Sequence, residues 1–244
     1  MQNNILDNLP LFKCRASKAG DLMTASRNGK GMGETAKTYL KEWVIQQISG
    51  RQKEIPSKYL EKGKDVEHLV LERASRYFGC EFVKNDIQLE NEFFTGEFDA
   101  KNEIIVIDAK APYDEYTFPY FIKEVPKGYY NQLQIYMDLT GLKKAALFYG
   151  LENGTEEEID KKSWKIAKSL GKDEPDIEDW EEAKRLLSFD HIPEFLRQKT
   201  FVFDRDDKLI DDMKEKVIES REVIKTELLP QLKRFEIDFL SKKI

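Results

Sequence analysis

Three charged residues lie close together in the stretch FDAKNEIIVIDAK, residues 98–110: Asp99, Asp108 and Lys110. Asp108 and Lys110 follow the aliphatic run 104–107, which predicts a buried central strand. Side chains alternate along a strand, so a spacing of two puts both residues on one face. A hairpin turn would bring Asp99 alongside that pair. We therefore expect two carboxylates and an ammonium group to converge near the end of a buried strand.

Such a group of charges could hydrolyse a phosphodiester. Buried carboxylates are costly unless they bind a metal ion or pair with a cation. Oxygen ligands favour Mg²⁺ or Mn²⁺ over zinc, and one or two such ions would neutralise phosphoryl charge and supply hydroxide. A lysine beside the metal could polarise the water or stabilise the transition state. The alternative is a surface salt bridge between Asp108 and Lys110, with Asp99 as a turn residue.

Two further polar residues stand where apolar ones are expected. Glu67 lies on the inner stripe of a helix predicted over residues 57–78. Gln132 lies on the apolar face of a helix predicted over residues 128–140. Each of them could instead border the apolar stripe, as polar residues often do. Together with the two acids and the lysine they would make a constellation of five polar residues.

The elements that carry these residues predict an α/β protein with a mixed central sheet of about five strands flanked by helices. Helices are predicted over residues 13–25, 34–48, 57–78, 128–140 and 206–239, the last of them interrupted by Pro230. Strands are predicted over residues 81–89, 93–100, 104–110, 145–149 and 200–203. The first three strands would form a meander, and the element order favours a sandwich of helices around the sheet.

The 244 residues suit a single domain with an insertion. Its parts would be basic N-terminal helices at 1–56, a core at 57–150 and 198–244, and an acidic helical insertion at 152–197. Trp164 and Trp180 are the expected local core of the insertion. Residues 1–64 hold 12 Lys/Arg and 6 Asp/Glu in a chain of net charge −6. This basic quarter is either a phosphate-facing surface or a solvated charge cluster.

Composition excludes several classes of protein. With 40% hydrophobic and 35% charged residues, the chain is neither collagen-like nor wholly disordered. Cys14 and Cys80 are too few for a disulfide framework or a four-cysteine zinc site. His68 and His191 lie far apart, which disfavours a histidine zinc site or a hydrolase triad. The lack of a long apolar segment or a signal-peptide pattern predicts no membrane contact and a cytoplasmic location.

The order of these motifs resembles the PD-(D/E)XK nuclease superfamily, and within it the lambda-type phage alkaline exonucleases, a group of viral recombinases. The glutamine helix YYNQLQIYM, residues 129–137, resembles that group's Q-x-Q helix. FKCRASKAGDLM, residues 12–23, resembles its N-terminal phosphate-binding segment, and residues 200–213 its last strand and C-terminal helix. The resemblance covers most of residues 12–150 and 199–235. It implies a restriction-endonuclease-like core in the order αβββαβ.

The resemblance also implies a role for each candidate residue. The metal ligands would be Glu67, Asp99, Asp108 and the backbone carbonyl of Ala109. Lys110 and Gln132 would act in catalysis, whereas Arg15, Ser17 and Gln134 would contact nucleic acid. Arg15 could instead pair with Asp21 on the surface. Two positions depart from the pattern, because Phe98 stands where proline is usual and Asp108 where glutamate is more frequent, but neither change removes a type of ligand.

The function that the resemblance implies is a DNA nuclease that uses one or two Mg²⁺ or Mn²⁺ ions. The expected activity is a 5′→3′ exonuclease on double-stranded DNA ends, acting in phage-type recombination. The resemblance further implies a ring-shaped homotrimer threaded by DNA, and a single-strand annealing protein as partner. Two alternatives stay open: a sequence-independent endonuclease or resolvase of the same fold, and a catalytically degenerate DNA-binding module.

Overall fold

The computed structural model describes residues 5–26, 29, 31–53 and 58–241, in which the strands form two mixed sheets. The small sheet has the order β1-β3-β2 and contains β1 (Cys14–Arg15), β2 (Leu89–Glu90) and β3 (Phe94–Gly96). The larger sheet has the order β4-β5-β6-β7 and contains β4 (Ala100–Lys101), β5 (Ile105–Lys110), β6 (Lys144–Gly150) and β7 (Gln198–Asp204). The α/β class is confirmed, and the single five-stranded sheet is wrong.

The predicted meander breaks where the chain crosses from one sheet to the other. Residues 81–88 form no strand and pair only through one bridge, between Lys84 and Ala100. Asn85 donates two hydrogen bonds to backbone carbonyls where the chain passes between the sheets. Its N–H donates to the carbonyl of Asp99, and its side-chain amide donates to the carbonyl of Phe98. These bonds replace the continuous ladder that a meander would need.

Eight α-helices lie around the two sheets in the described part of the chain. They are α1 (Ala19–Leu22), α2 (Glu34–Ser49), α3 (Lys58–Phe78), α4 (Lys127–Thr140), α5 (Glu156–Ser169), α6 (Ile177–Leu186), α7 (Asp207–Val223) and α8 (Leu229–Ser241). Short 3₁₀ turns cover residues 5–7, 16–18 and 194–196. Ser57, the first residue of the helix predicted over 57–78, lies outside the described residues.

Two predicted helices differ in detail from the structure. The helix predicted from residue 13 begins later, because Cys14 pairs with Phe94 in the small sheet and its N–H donates to the carbonyl of Phe93. The long C-terminal helix is interrupted by a π-helical turn at Ile224–Leu228, just before Pro230. Proline lacks an N–H and crowds the carbonyl four residues earlier, so the wider turn relieves both constraints.

Strand β5 is buried on both faces, and its alternation decides where the charged residues go. Ile105, Ile107 and Ala109 pack in a cluster with apolar side chains of α3. Val106 packs on the other side, in the cluster that contains Leu133 and Met137 of α4. By the same alternation Asp108 and Lys110 point toward α4.

The insertion forms a small helical unit of its own. Thr155 and Asp176 begin α5 and α6 with capping boxes, in which each side chain accepts a backbone N–H of the first turn. The predicted tryptophan core is wrong for Trp164, which is 38% exposed, whereas Trp180 is partly buried and packs against the core of the insertion. Small and aliphatic side chains fill the interior instead: Ile159, Ala183 and Leu187.

A buried ion network joins the insertion to the core. The guanidinium of Arg73 on α3 donates to both carboxylate oxygens of Glu152, and Arg197 donates to the carbonyl of Leu151. Both cysteines are free thiols. None of the helices in the described residues is both long and apolar enough to cross a membrane.

Candidate active site

The centre of the candidate site is the end of β5. Asp108 is 2% exposed, and its Oδ2 lies 2.5 Å from Nζ of Lys110. Its Oδ1 accepts a hydrogen bond from Nε2 of Gln132 at 3.0 Å. The pairing of Asp108 with Lys110 confirms that the two residues share a face. Because Asp108 is buried, the alternative of a simple surface salt bridge is wrong.

The β4–β5 hairpin brings the second acid to the same place. Ala100 lies opposite Ile107, so the residue before β4 reaches the end of β5. Oδ2 of Asp99 accepts a hydrogen bond of 2.6 Å from the backbone N–H of Ala109. The predicted convergence of two carboxylates and one ammonium group is therefore present in the structure.

The two carboxylates lie close together beside Lys110, and the pKa of Asp99 reflects this crowding. Burial, together with repulsion from Asp108, raises the pKa of Asp99 from 3.8 to about 7. Burial alone would lower the pKa of Lys110, but attraction to Asp108 and Asp99 outweighs it and holds that pKa above its ordinary value. The site thus has an excess of negative charge that either a proton or a second cation can neutralise.

The raised pKa of Asp99 predicts how the stability of the metal-free protein changes with pH. The folded state keeps a proton on this carboxyl that the unfolded state releases above pH 3.8, so stability should fall as pH rises toward about 7. Asp99→Asn removes that loss. We expect the variant to be more stable than the wild type at pH 8, by on the order of 1–2 kcal/mol.

Urea denaturation in EDTA between pH 4 and pH 8 measures this effect. The slope of stability against pH should be shallower in Asp99→Asn than in the wild type. Equal slopes in both proteins would show that Asp99 titrates normally. The matched control is Asp173→Asn, which changes an exposed aspartate between α5 and α6.

Glu67 belongs to the same region, but a lysine holds it in this structure. Its Oε1 lies 3.3 Å from Nζ of Lys84, and both residues line one cavity with Asp99. Among the residues described, no group of three or more Asp, Glu, His or Cys side chains is arranged to hold a metal ion. The structure therefore brings Glu67 to the cavity without placing it as a third ligand.

The cavity joins the acidic cluster to the basic N-terminal segment. It has a volume of about 960 Å³, and its walls include Glu67, Asp99, Arg15, Ser17 and Tyr136. Asp108, Lys110 and Gln132 lie behind this wall and connect to it through Asp99 and Tyr136. Acidic side chains and the basic N-terminal segment therefore face the same cavity.

Arg15 is free to meet such a phosphate. Its side chain is exposed, and the described residues place no carboxylate within ion-pair distance of it. The alternative pairing with Asp21 is wrong, because Asp21 is bound by Lys18 at 2.7 Å. The backbone N–H of Arg15 donates to the hydroxyl of Tyr39 at 3.1 Å, which fixes the segment. Ser17, two residues further on, is also exposed.

The structure contradicts the predicted role of Gln134. Its side chain is fully buried, its Nε2 donates to the carbonyl of Asp204, and its Oε1 accepts the N–H of Asp206. Gln134 therefore fixes the turn between β7 and α7 and cannot contact nucleic acid. The helical period explains the difference, because residues two apart lie about 200° apart around a helix and Gln132 takes the face toward the site.

One residue of the site was absent from the sequence-based prediction. The hydroxyl of Tyr136 accepts a hydrogen bond from Gln132 at 2.8 Å and donates to the carbonyl of Glu97 at 2.8 Å. Burial and the nearby Asp108 raise the pKa of this phenol. The signal in the sequence was its position one turn after Gln132, on the same helical face.

Comparisons with solved structures show what this arrangement is similar to. A phage-related exonuclease from Haemophilus somnus 129PT matches with a TM-score of 0.69 and 25% identity, over 87% of this chain and 93% of that one. The alkaline exonuclease LHK-Exo from Laribacter hongkongensis matches with a TM-score of 0.65 and 18% identity, over 94% and 95%. The same enzyme in complex with dAMP matches with a TM-score of 0.64 and 19% identity, over 94% and 95%.

The sequence matches no family model and no curated protein. The likeness is therefore one of structure, and it extends over nearly the whole of both partners in each comparison. The likeness agrees with the fold that the sequence resemblance implied. Over about nine-tenths of its length, this chain is similar in structure to phage-related and alkaline exonucleases of the lambda type, with the PD-(D/E)XK fold.

Proposed function

We propose that this protein is a metal-dependent deoxyribonuclease that degrades double-stranded DNA from its 5′ ends. The observation that carries the proposal is the convergence of Asp99, Asp108 and Lys110 at the end of β5. The similarity to exonucleases supports it, because the same fold surrounds this cluster over most of the chain. The cavity between the acids and Arg15 supports a substrate that carries phosphate.

The donor set fits a hard divalent cation. Asp99 and Asp108 offer oxygen atoms, as Mg²⁺ and Mn²⁺ prefer, and a bound cation would relieve the burial and repulsion that raise the pKa of Asp99. We propose that one or two ions are held by these carboxylates and the carbonyl of Ala109, joined by Glu67 once it leaves Lys84. Bound there, a metal ion would neutralise phosphoryl charge and lower the pKa of a water molecule.

The chain's own residues have separate tasks in this reaction. In the metal-free protein, attraction to the two acids holds the pKa of Lys110 above its ordinary value. In the reaction Lys110 would polarise the attacking water or stabilise the transition state. Gln132 orients the carboxylate of Asp108, and Tyr136 in turn fixes Gln132. Arg15 and Ser17 bind the terminal phosphate at the other wall of the cavity.

A substrate without ends tests the proposal against the endonuclease alternative. Linear duplex DNA and the same DNA as a covalently closed circle are incubated with the protein and Mg²⁺. We expect only the linear form to be degraded, because an exonuclease needs a free end. Cutting of the closed circle would identify an endonuclease. Binding of both forms without hydrolysis, in any divalent metal, would indicate a degenerate module. The ring-shaped trimer and the annealing partner stay predictions.

The hydrogen bonds of Gln132 predict a defect in metal binding. Gln132→Ala frees Oδ1 of Asp108 from its donor, so the carboxylate is no longer held in one orientation. Loss of a residue that orients a ligand typically weakens metal affinity by about 10–100-fold. Titration calorimetry with Mg²⁺ should show this loss, whereas the exposed Gln231→Ala on α8 should bind like the wild type. Unchanged Mg²⁺ affinity in Gln132→Ala would show that the contact has no such role.

The exposed guanidinium of Arg15 predicts a preference for phosphorylated ends. A charge-assisted hydrogen bond to a terminal phosphate exists only when that phosphate is present. Arg15→Ala should therefore slow digestion of 5′-phosphorylated ends by about 10–100-fold, with much less effect on 5′-hydroxyl ends. The control is Arg76→Ala, which removes an exposed arginine from α3. Equal slowing of both substrates would mean that Arg15 does not recognise the terminal phosphate.

A further inference from the structure

A second cavity lies next to the catalytic one, on the far side of Arg15. Its volume is about 490 Å³, and it shares Arg15, Trp43, Gln46 and Gln52 with the first cavity. This volume lies within the range of about 300–1,000 Å³ that small-molecule sites occupy. The shared residues make the two spaces neighbours, so a ligand in one is close to a ligand in the other.

The second cavity is strongly basic. Lys18, Arg51 and Lys53 line it together with Arg15, against a single acid, Glu42. Two of the four cations are compensated: Lys18 by Asp21 at 2.7 Å, and Lys53 by Glu42 at 2.6 Å. The described part of the chain offers neither arginine a carboxylate within ion-pair distance. Two uncompensated guanidinium groups are the usual means of binding a phosphate with paired hydrogen bonds.

The same cavity has an aromatic wall. Trp43 is half-buried, and its ring packs edge-on against Phe12, with centroids 5.2 Å apart and planes at 89°. Phe12 is itself buried, so Trp43 is held in place without being covered. A fixed, partly exposed indole can stack on any nucleobase, which makes it a sequence-tolerant contact. A phosphate-binding pair of arginines beside such a ring suits a ligand with both a phosphate and a base.

We propose that this second cavity binds one nucleotide unit, with its phosphate at Arg51 and Arg15 and its base against Trp43. The proposal rests on the proposed function, which supplies the ligand. The nucleotide has two possible sources: a mononucleotide released by hydrolysis, or a nucleotide still joined to a DNA strand. Both have the same chemistry, and Arg15 links either of them to the catalytic cavity.

Fluorescence of Trp43 tests the proposal without any turnover. The other two tryptophans, Trp164 and Trp180, lie in the insertion, so Trp164→Phe combined with Trp180→Phe leaves Trp43 as the reporter. This protein is titrated with dAMP in EDTA, and calorimetry on the wild-type chain repeats the titration should the double variant fail to fold. Deoxyadenosine, which lacks the phosphate, is titrated in parallel.

Three substitutions locate the site. Arg51 lines only the second cavity, so Arg51→Gln changes that cavity alone. Lys13 lines only the catalytic cavity and Arg76 lines neither, so Lys13→Gln and Arg76→Gln leave the second cavity unchanged. We expect dAMP to quench the fluorescence of Trp43. The affinity for dAMP should be about tenfold weaker in Arg51→Gln, and it should change less than about twofold in Lys13→Gln and Arg76→Gln. Deoxyadenosine should bind at least about tenfold more weakly than dAMP. Equal affinities in Arg51→Gln and Arg76→Gln, or equal binding of dAMP and deoxyadenosine, would overturn the proposal.

A competing oligonucleotide distinguishes the two sources. A 5′-phosphorylated tetrathymidylate that displaces dAMP identifies the ligand as part of a strand, and one that leaves dAMP bound identifies it as released product. Either result supports the cavity as a nucleotide site. Failure of this proposal is separable from failure of the proposed function, because binding is measured in EDTA. A protein that degrades DNA but gives no dAMP response contradicts only the second site.

Discussion

Asp99→Ala should abolish the hydrolysis of linear duplex DNA, with a fall in kcat on the order of 10³-fold, because a metal ligand supplies several kcal/mol of charge stabilisation. Of the two aspartates, Asp99 lines the cavity and Asp108 lies behind it. Glu67 also lines this cavity, but it lies 3.3 Å from Nζ of Lys84 and does not take the place of Asp99 beside Asp108. Initial rates of mononucleotide release at saturating Mg²⁺ measure the effect.

The fold should survive this substitution, which separates loss of chemistry from loss of structure. Asp99→Ala gives up one hydrogen bond from Ala109 but relieves repulsion from Asp108, so circular dichroism and thermal unfolding should remain close to those of the wild type. Asp173→Ala, in an exposed turn of the insertion, should retain full activity. Wild-type turnover in Asp99→Ala would show that the site lies elsewhere.

Lys110→Ala should lower kcat by about 10²–10³-fold while Mg²⁺ binding survives, as expected for loss of one donor to the transition state. Lys110 lies 2.5 Å from Asp108, and its raised pKa keeps it charged throughout the neutral range. It is not a ligand, so its removal leaves the oxygen atoms of both acids available to the metal. Rapid-quench measurements of kcat together with Mg²⁺ calorimetry distinguish the two effects.

The control for this substitution is another lysine of the same sheet. Lys101→Ala changes an exposed residue of β4 and should affect neither kcat nor metal affinity. Should Lys110→Ala lose Mg²⁺ binding along with activity, the lysine would be holding the two acids in place instead of acting on the phosphate. Removing the cation between two acids would then have disordered the site.

Local patterns in the sequence predicted the strand that carries Asp108 and Lys110, and its neighbours, well. The period of two placed Asp108 and Lys110 on one face of β5, and the turn before it placed Asp99 beside them. The helices around Glu67 and Gln132 began and ended close to the predicted residues. These features depend on alternation, caps and turns, which are encoded within a few residues of each other.

Features that depend on distant contacts could not be predicted in the same way. Apolar alternation over residues 93–100 fits one long strand, but the bonds from Asn85 end it and divide the strands between two sheets. The aromatic side chains of the insertion suggested its core, yet α5 presents Trp164 to the surface. Lys84 beside Glu67 also follows from tertiary packing alone, because the two residues come from separate elements.

The most direct test of the central claim is a time course on linear duplex DNA labelled at its 5′ phosphate. We predict that in Mg²⁺ the label is released as a mononucleotide from the earliest times, and that EDTA or Asp99→Ala stops its release. Release of the label in longer fragments, or digestion that begins at 3′ ends, would contradict a 5′ exonuclease. Hydrolysis that continues in EDTA would contradict the assignment of Asp99 and Asp108 as metal ligands.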